Sequence, residues 1–592
     1  MMKQFIRVLS STNALIILAI VFIVSFFTVP YLFPPKEMVN SMSYDYGFNN
    51  QVGVLLVGLS ILVFGAIGYL RNNIDLNIFI KDSERLPFRH FVFGLIFCIL
   101  FFTCVSLSGR YVLEFNDSSY FFYHFYEMTL GRIPYKDFAF GYGPLTIYFP
   151  YWVYSLMPEF STLNAYIFSL SIFHIIGLYA IYELVNVLNI KRIDKIWMFW
   201  IAFLIFFPYT IGMNYQAFRF VFPFWAMWKC HILQFRWKFL FIPLSVLITL
   251  AFSPEIGLVY WIASLIYSGL QLYVSRNSKY CFVIALTLFI NSIFVFAFKP
   301  MFTFVLSFGS GFLNLPFIPS FHLLVFFLCI FVIAYYLGGV FPLLDKYVLE
   351  ISFILLACGL IPVCLGRCDP GHVIYNGFFI ISLSVVLIIK MLRRLRLPLL
   401  CLVLLLYVNL SFTVPFSIPD FFKVAICNQI SIIHDYRAEL KYDNSSVNES
   451  ILPMGEKVTV PFFSNYEDYY YLCSKDKVNE MYFTRTTCRG TTGNVHKMVN
   501  ELKEDSPRVL LLYRGWENVI APNNSYDSLI KYLFFTYYPV YPYRNGNLVN
   551  KPLIDYIKKN YKKVNGDKNY LIYERNTAED LSNEEYIDKK AM

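Results

Sequence analysis

Apolar runs of roughly 20 residues, the length that crosses a bilayer core, recur along the chain as far as Phe416. They predict about 13 spanning helices. These are Ala14–Phe33, Val52–Leu70, Phe91–Leu107, Leu163–Leu188, Ile196–Ile211, Phe218–Ile232 and Phe239–Phe252, then Ile256–Tyr273, Tyr280–Phe298, Phe321–Phe341, Tyr347–Leu365, Val373–Leu392 and Leu397–Phe416. Two further apolar stretches, Gly143–Met157 and Met301–Pro319, are broken by Pro and read as re-entrant or surface-lying segments. After Ser417 the pattern changes. Lys457–Phe463, Glu480–Thr487, Arg508–Tyr513 and Tyr570–Glu574 read as strands. Asn494–Glu504, Ser525–Phe535 and Pro552–Lys563 read as helices between them. The fold class is therefore a polytopic α-helical membrane protein with a C-terminal α/β domain.

Charge orients the spans. Arg71, Lys81, Arg85 and Arg89, then Lys191, Arg192 and Lys195, then Arg236 and Lys238, then Arg276 and Lys279, then Arg393, Arg394 and Arg396 fall in alternate loops. By the positive-inside rule those loops and the N-terminus are cytoplasmic. The opposite loops, with everything after Phe416, are extracytoplasmic. A crossing at Gly143–Met157 would place every later basic loop outside, so that run is kept within the outer loop Ser108–Thr162. The organisation expected is two extra N-terminal spans (1–90), a transmembrane domain (91–416), an extracytoplasmic α/β domain (417–575) and a disordered acidic tail (576–592).

Composition agrees: of 592 residues 57% are hydrophobic and 15% charged, with mean hydropathy +0.54. The net charge of +10 sits largely in the short basic loops, so it is a topology signal and not a nucleic-acid footprint. The run Ala14–Phe33 lacks a small-residue cleavage site and reads as an uncleaved anchor. Most of the 12 cysteines lie in apolar segments; Cys473 and Cys488 could pair in an oxidising compartment, which leaves Cys427 over.

Polar residues at span ends carry the candidate chemistry. Arg367-Cys368-Asp369-Pro370-Gly371-His372 sets charge between two apolar runs, where it is costly. It suits an anionic, phosphate-bearing ligand, or else forms a polar turn with an internal ion pair. In the first outer loop Asp117 suits a general base or a metal ligand, with Glu114 beside it; Asp117 is equally well placed to cap a helix from Tyr120. Gly131-Arg132-Ile133-Pro134-Tyr135-Lys136-Asp137-Phe138 and Gly141-Tyr142-Gly143-Pro144 are turn-rich and would fix Asp137 and Tyr142 at set angles. Glu255 in Ser253-Pro254-Glu255 faces the same side, or serves its helix dipole. Arg219 is placed to bind phosphate, or to snorkel.

Glu114-Phe115-Asn116-Asp117-Ser118-Ser119-Tyr120, Gly131 to Asp137, and Gly143-Pro144-Leu145 together resemble the first extracytoplasmic loop of GT-C fold glycosyltransferases. That superfamily includes the protein O-mannosyltransferases and the lipid A aminoarabinose transferase. The resemblance runs from about Phe91 to the end of the chain. It implies a polyprenyl-phosphate sugar donor and a glycan, lipid or protein acceptor at the outer face of the inner (cytoplasmic) membrane. Asp117 matches the position of the catalytic acidic residue, with Glu114 as substitute. Arg367, Asp369 and His372 would lie near the leaving phosphate. The chain departs from the pattern in its two extra N-terminal spans and in an Asn214–Arg219 loop without an acid, which leaves Glu255 as the available carboxylate and a divalent metal (Mg or Mn) as an open option. A transporter, flippase or polymerase of lipid-linked saccharides shares the same plan. Ionisable residues gathered at one surface, with His174 and Glu183 among the few inside spans, favour the transferase.

Overall fold

The computed structural model describes residues 12–33, 48–71, 77–79, 84–108, 116–206, 214–307, 321–366, 370–392, 447–463, 466–479, 481, 485–486, 492–516 and 546–577. Predicted features at Leu397–Phe416, at Ser525–Phe535 and beyond Thr577 lie outside them. The chain divides into two compact units. The first comprises Met1–Gly109, Gly141–Tyr436 and Asn524–Val540; the second comprises Arg110–Phe140, Arg437–Asn523 and Tyr541–Met592. The boundary therefore falls inside the outer loop Ser108–Thr162, which the sequence assigns whole to the membrane domain.

The apolar runs become helices. Before the first outer loop come α1 (Thr12–Leu32), α2 (Asn50–Arg71) and α3 (Phe88–Ser108). In that loop are α4 (Asn116–Thr129) and α5 (Leu145–Leu156). Then come α6 (Thr162–Val187), α7 (Arg192–Phe206), α8 (Gln216–Ile232), α9 (Phe235–Phe252), α10 (Pro254–Ser275), α11 (Lys279–Ala297) and α12 (Lys299–Ser307). The series continues with α13 (Phe321–Val340), α14 (Val348–Gly359), α15 (Ile361–Leu365) and α16 (Pro370–Leu392). Among the described residues 9 helical segments are long and apolar enough to cross a membrane: α1, α2, α6, α9, α10, α11, α13, α14 with α15, and α16. The predicted spans at Ile196–Ile211 and Phe218–Ile232 are α7 and α8, of 15 and 17 residues. The predicted span Tyr347–Leu365 is broken at Leu360, where Pro362 removes a backbone donor. The apolar run Gly143–Met157 contains α5, whose 12 residues reach only about 18 Å, short of the roughly 30 Å core.

Packing in the first unit is built on close backbone approach. In α2 and α13 a Cβ added at Gly68 would strike the Tyr335 carbonyl, and one at Gly338 the Gly65 carbonyl. Phe64 stacks on Phe331 at 4.5 Å beside this seam, and Arg71 Nη1 donates to the Tyr335 hydroxyl at 2.8 Å. Between two helices in lipid the gain comes from such van der Waals contact, since burial from lipid offers no hydrophobic gain.

In the second unit a six-stranded sheet has the order β2-β1-β4-β6-β5, with β3 also pairing β1. Its strands are β1 (Val458–Phe463), β2 (Val478–Asn479), β3 (Arg485–Thr486), β4 (Val509–Tyr513), β5 (Tyr561–Gly566) and β6 (Tyr570–Arg575). β1 runs parallel to β2, β3 and β4, while β6 is antiparallel to β4 and β5. Val509 to Leu512 are all buried, as a central strand requires. The connecting helices are α17 (Tyr466–Ser474), α18 (Thr492–Asp505) and α19 (Gly546–Asn560). One prediction is corrected here. The helix read over Pro552–Lys563 ends at Asn560, and Tyr561 starts an edge strand paired with β6. Within the strand read over Glu480–Thr487, Arg485–Thr486 are strand, while residues 480, 482–484 and 487 lie outside the described residues.

Candidate functional site

Three of the residues singled out in the sequence meet in the first unit. Arg219 lies in the first turn of α8 and is only 5% exposed. Its Nε and Nη2 both donate to Ser253 Oγ at 3.2 Å, and Nη2 donates to Glu255 Oε1 at 3.2 Å. Ser253 Oγ in turn donates to Glu255 Oε1 at 2.6 Å. Nη1 makes one long contact, 3.4 Å, to the Asn214 carbonyl. The guanidinium carbon stands 4.6 Å from the Tyr142 ring centroid and 5.2 Å from that of Phe220. The expectation that Arg219 snorkels is therefore wrong: it points into protein, where Glu255 and the two ring faces offset its desolvation.

Local sequence explains this arrangement. Pro254 starts α10 and places Glu255 in the first turn, near the positive helix end. Ser253 sits between α9 and α10, so its hydroxyl serves both residues. Gly143 is packed so closely on the end of α9 that a Cβ there would strike the Ala251 carbonyl. Its N–H donates to the Phe252 carbonyl at 3.3 Å, which holds Tyr142 over the guanidinium. Tyr215, just before α8, has φ +64°, a left-handed conformation that is rare for a bulky residue. Its hydroxyl donates to the Thr146 carbonyl at 2.9 Å and ties α8 to the start of α5. The sequence marks Ser253 only as the neighbour of Glu255, and it gives no signal for the turn at Tyr215.

The other candidates are placed differently. His372 is in the first turn of α16, where its carbonyl accepts from Asn376 Nδ2 at 3.1 Å. Arg367 and Asp369 lie outside the described residues, as does Glu114. Asp117 belongs to the second unit. The helix begins at Asn116, so Asp117 lies inside its first turn and not ahead of it as a cap would. Asp137 closes a turn: its Oδ2 accepts from the Ile133 N–H at 2.8 Å, and its carbonyl accepts from Arg132 Nη2 at 2.7 Å. Arg132 also pairs with the fully buried Glu127. His124 lies between the rings of Tyr120, Phe138 and Phe140, and its Nδ1 donates to the Tyr120 carbonyl at 2.7 Å. Burial pushes its pKa down to about 4, with Arg132 adding to the effect and the Tyr120 carbonyl opposing it.

A second charged group in the first unit was only partly anticipated. Glu183 of α6 accepts from Lys229 Nζ at 2.9 Å, from the Tyr179 hydroxyl at 3.0 Å, and from Trp225 Nε1. It joins α6 to the last turns of α8.

Among the described residues no group of three His, Cys, Asp or Glu side chains could hold a metal ion. At the Arg219 centre the guanidinium occupies Glu255 and would repel a cation. That centre does not suit Mg or Mn. No protein-family model, no curated protein and no solved structure matches the chain.

Proposed function

We propose that this chain is a membrane glycosyltransferase that moves a sugar from a polyprenyl-phosphate donor to a glycan, lipid or protein acceptor at the outer face of the cytoplasmic membrane. The observation that supports it best is the buried Arg219 centre. A desolvated arginine inside a helical membrane bundle is expensive and marks function by default. Ser253 and Glu255 fix the guanidinium through Nε and Nη2, and Nη1 keeps the weakest contact. That edge is where a phosphate oxygen would gain most.

The centre also lies at a meaningful end of its helices. Arg236 and Lys238 lie in the first turn of α9, at its junction with α8, and Arg276 to Lys279 lie at the junction of α10 and α11, whereas Ser253 joins α9 to α10. With α9 18 residues long, Ser253 is about 27 Å from the basic end. If the basic turns are cytoplasmic, the centre belongs to the outer half of the bundle.

In the proposed reaction Asp117 takes the proton of an acceptor hydroxyl as its oxygen attacks the anomeric carbon. The bond from that carbon to the phosphate oxygen breaks on the opposite face, and its electron pair leaves with polyprenyl phosphate. One displacement inverts the configuration. Arg367, His372 and Arg219 would offset the charge on the leaving phosphate, with Tyr142, Glu255, Asp137 and Asp369 in positioning roles.

The test is sugar transfer in proteoliposomes with a panel of polyprenyl-phosphate sugars. Loss of a general base is expected to lower turnover by Asp117→Asn about 10²- to 10⁴-fold with donor binding intact. Arg219→Lys keeps the charge but loses the planar fork, so departure of polyprenyl phosphate should slow as well. Movement of lipid-linked sugar across the bilayer without cleavage would establish the transporter instead. Wild-type turnover by Asp117→Asn would remove Asp117 from the mechanism.

A further inference from the structure

The helix that carries Asp117 is not a free element of an outer loop. α4 packs against α17, although 346 residues separate Tyr123 from Tyr469, the pair at the contact. Their rings meet edge to face at 5.1 Å and both are buried. Burial raises the Tyr123 hydroxyl well above its ordinary range, with Tyr469, Cys473 and Glu127 adding to the effect. α17 is itself fastened to the sheet: Asp468, 1% exposed, accepts from the Tyr570 hydroxyl of β6 at 2.5 Å. At the other end of α4 the buried Glu127 pairs with Arg132, and His124 is wedged among aromatic rings. A continuous line of contacts thus runs from β6 through Asp468 and Tyr469 to Tyr123 and α4.

We infer that Tyr469 and Asp468 are positioning residues for Asp117, so that the C-terminal α/β unit sets the angle of the catalytic helix. The role rests on the transferase reading with Asp117 as base. The leverage is simple. Asp117 lies six residues before Tyr123, about 9 Å along the helix axis. A tilt of about 10° at the Tyr123–Tyr469 contact would move Asp117 by about 1.5 Å. Displacements of about 1 Å from a productive geometry can cost about a hundred-fold in rate. A bound acceptor that tightened the sheet would act on the base through the same line.

The experiment pairs hydrogen exchange with kinetics on the full-length protein in detergent, comparing wild type, Tyr469→Ala and Tyr469→Phe. Tyr469→Ala should speed exchange of α4 amides about ten-fold or more while β4 and β6 stay protected. It should lower kcat about ten- to a hundred-fold and leave donor KM within about two-fold. Tyr469→Phe keeps the ring edge and should restore both. If the sheet itself loosens in Tyr469→Ala, Tyr123→Ala removes the same contact from the helix side and should give the same result. Unchanged α4 exchange in these variants, or a kcat equal to wild type, overturns the positioning role. A wild type that transfers no sugar overturns the transferase reading on its own, while the exchange result still decides whether α17 holds α4.

Discussion

Arg219 and His124 are both buried, and they manage charge in opposite ways. Arg219 cannot shed its proton, so the chain supplies Glu255, Ser253 and the face of Tyr142. His124 can, and burial keeps it neutral, with its pKa held down to about 4. The sign of the consequence follows. Between about pH 4 and 6.5 the unfolded chain binds a proton at His124 that the folded chain refuses, so stability rises with pH across that window. The contribution lost on acidification from pH 7 to 4 is about 3 kcal/mol. His124→Phe, which fills the same aromatic pocket, should flatten this part of the thermal stability profile of the full chain between pH 4 and 7. A wild-type profile that changes no more steeply than the variant's would show that His124 is not the group responsible. Sequence makes Arg219 a candidate by setting it at a span end, whereas it shows His124 only as one polar residue of the outer loop. It does not reveal their partners, which come from Ser253–Glu255 and from Phe138–Phe140.

At the scale of elements, the apolar runs predict most helices because lipid leaves the backbone no other partner than itself. Misreadings occur where tertiary pairing overrides local preference. Tyr561-Lys562-Lys563 continues a helical pattern from α19, yet these residues pair with Arg575, Glu574 and Tyr573 as strand. The seam between α2 and α13 is legible only as glycines, since sequence does not say which of them touches a neighbour. Structure separates them: Gly338 sits on the Gly65 carbonyl, while a Cβ at Gly58 meets nothing within 4 Å. Gly338→Val should therefore part the two helices and cost about 1–3 kcal/mol, the usual penalty of overpacking. Gly58→Val should be close to neutral. Thermal melting of the two variants in one detergent tests the difference, and equal melting temperatures would mean that the seam is not tight.

Connectivity constrains the whole molecule more tightly than span counting does. Residues 110–140 and 437–523 belong to one compact unit, so both must lie on the same side of the membrane. An even number of crossings must then separate α4 from Val447. Among the described residues the candidate spans between them are α6, α9, α10, α11, α13, α14 with α15, and α16, an odd number. Counting α7 and α8 as a pair leaves the parity odd, and a crossing at α5 is excluded by its 12 residues. The span expected from sequence at Leu397–Phe416 lies outside the described residues; with it as an eighth crossing the number would be even. The sequence shows Leu397–Phe416 as an apolar run, but nothing in it pairs Tyr123 with Tyr469, because residues so far apart share no pattern. The parity is measurable. Cysteines placed at Lys136, at the fully exposed Met454, and at Asn277 in the turn between α10 and α11 can be labelled with an impermeant maleimide on intact cells. The parent chain, with the exposed Cys281, serves as background. Positions 136 and 454 should react from outside, and position 277 only after permeabilisation, since its flanking Arg276 and Lys279 are retained inside. Labelling of 454 together with 277 would place the sheet in the cytoplasm, separate it from α4, and remove both the outer-face reaction and the buttress of Asp117 at once.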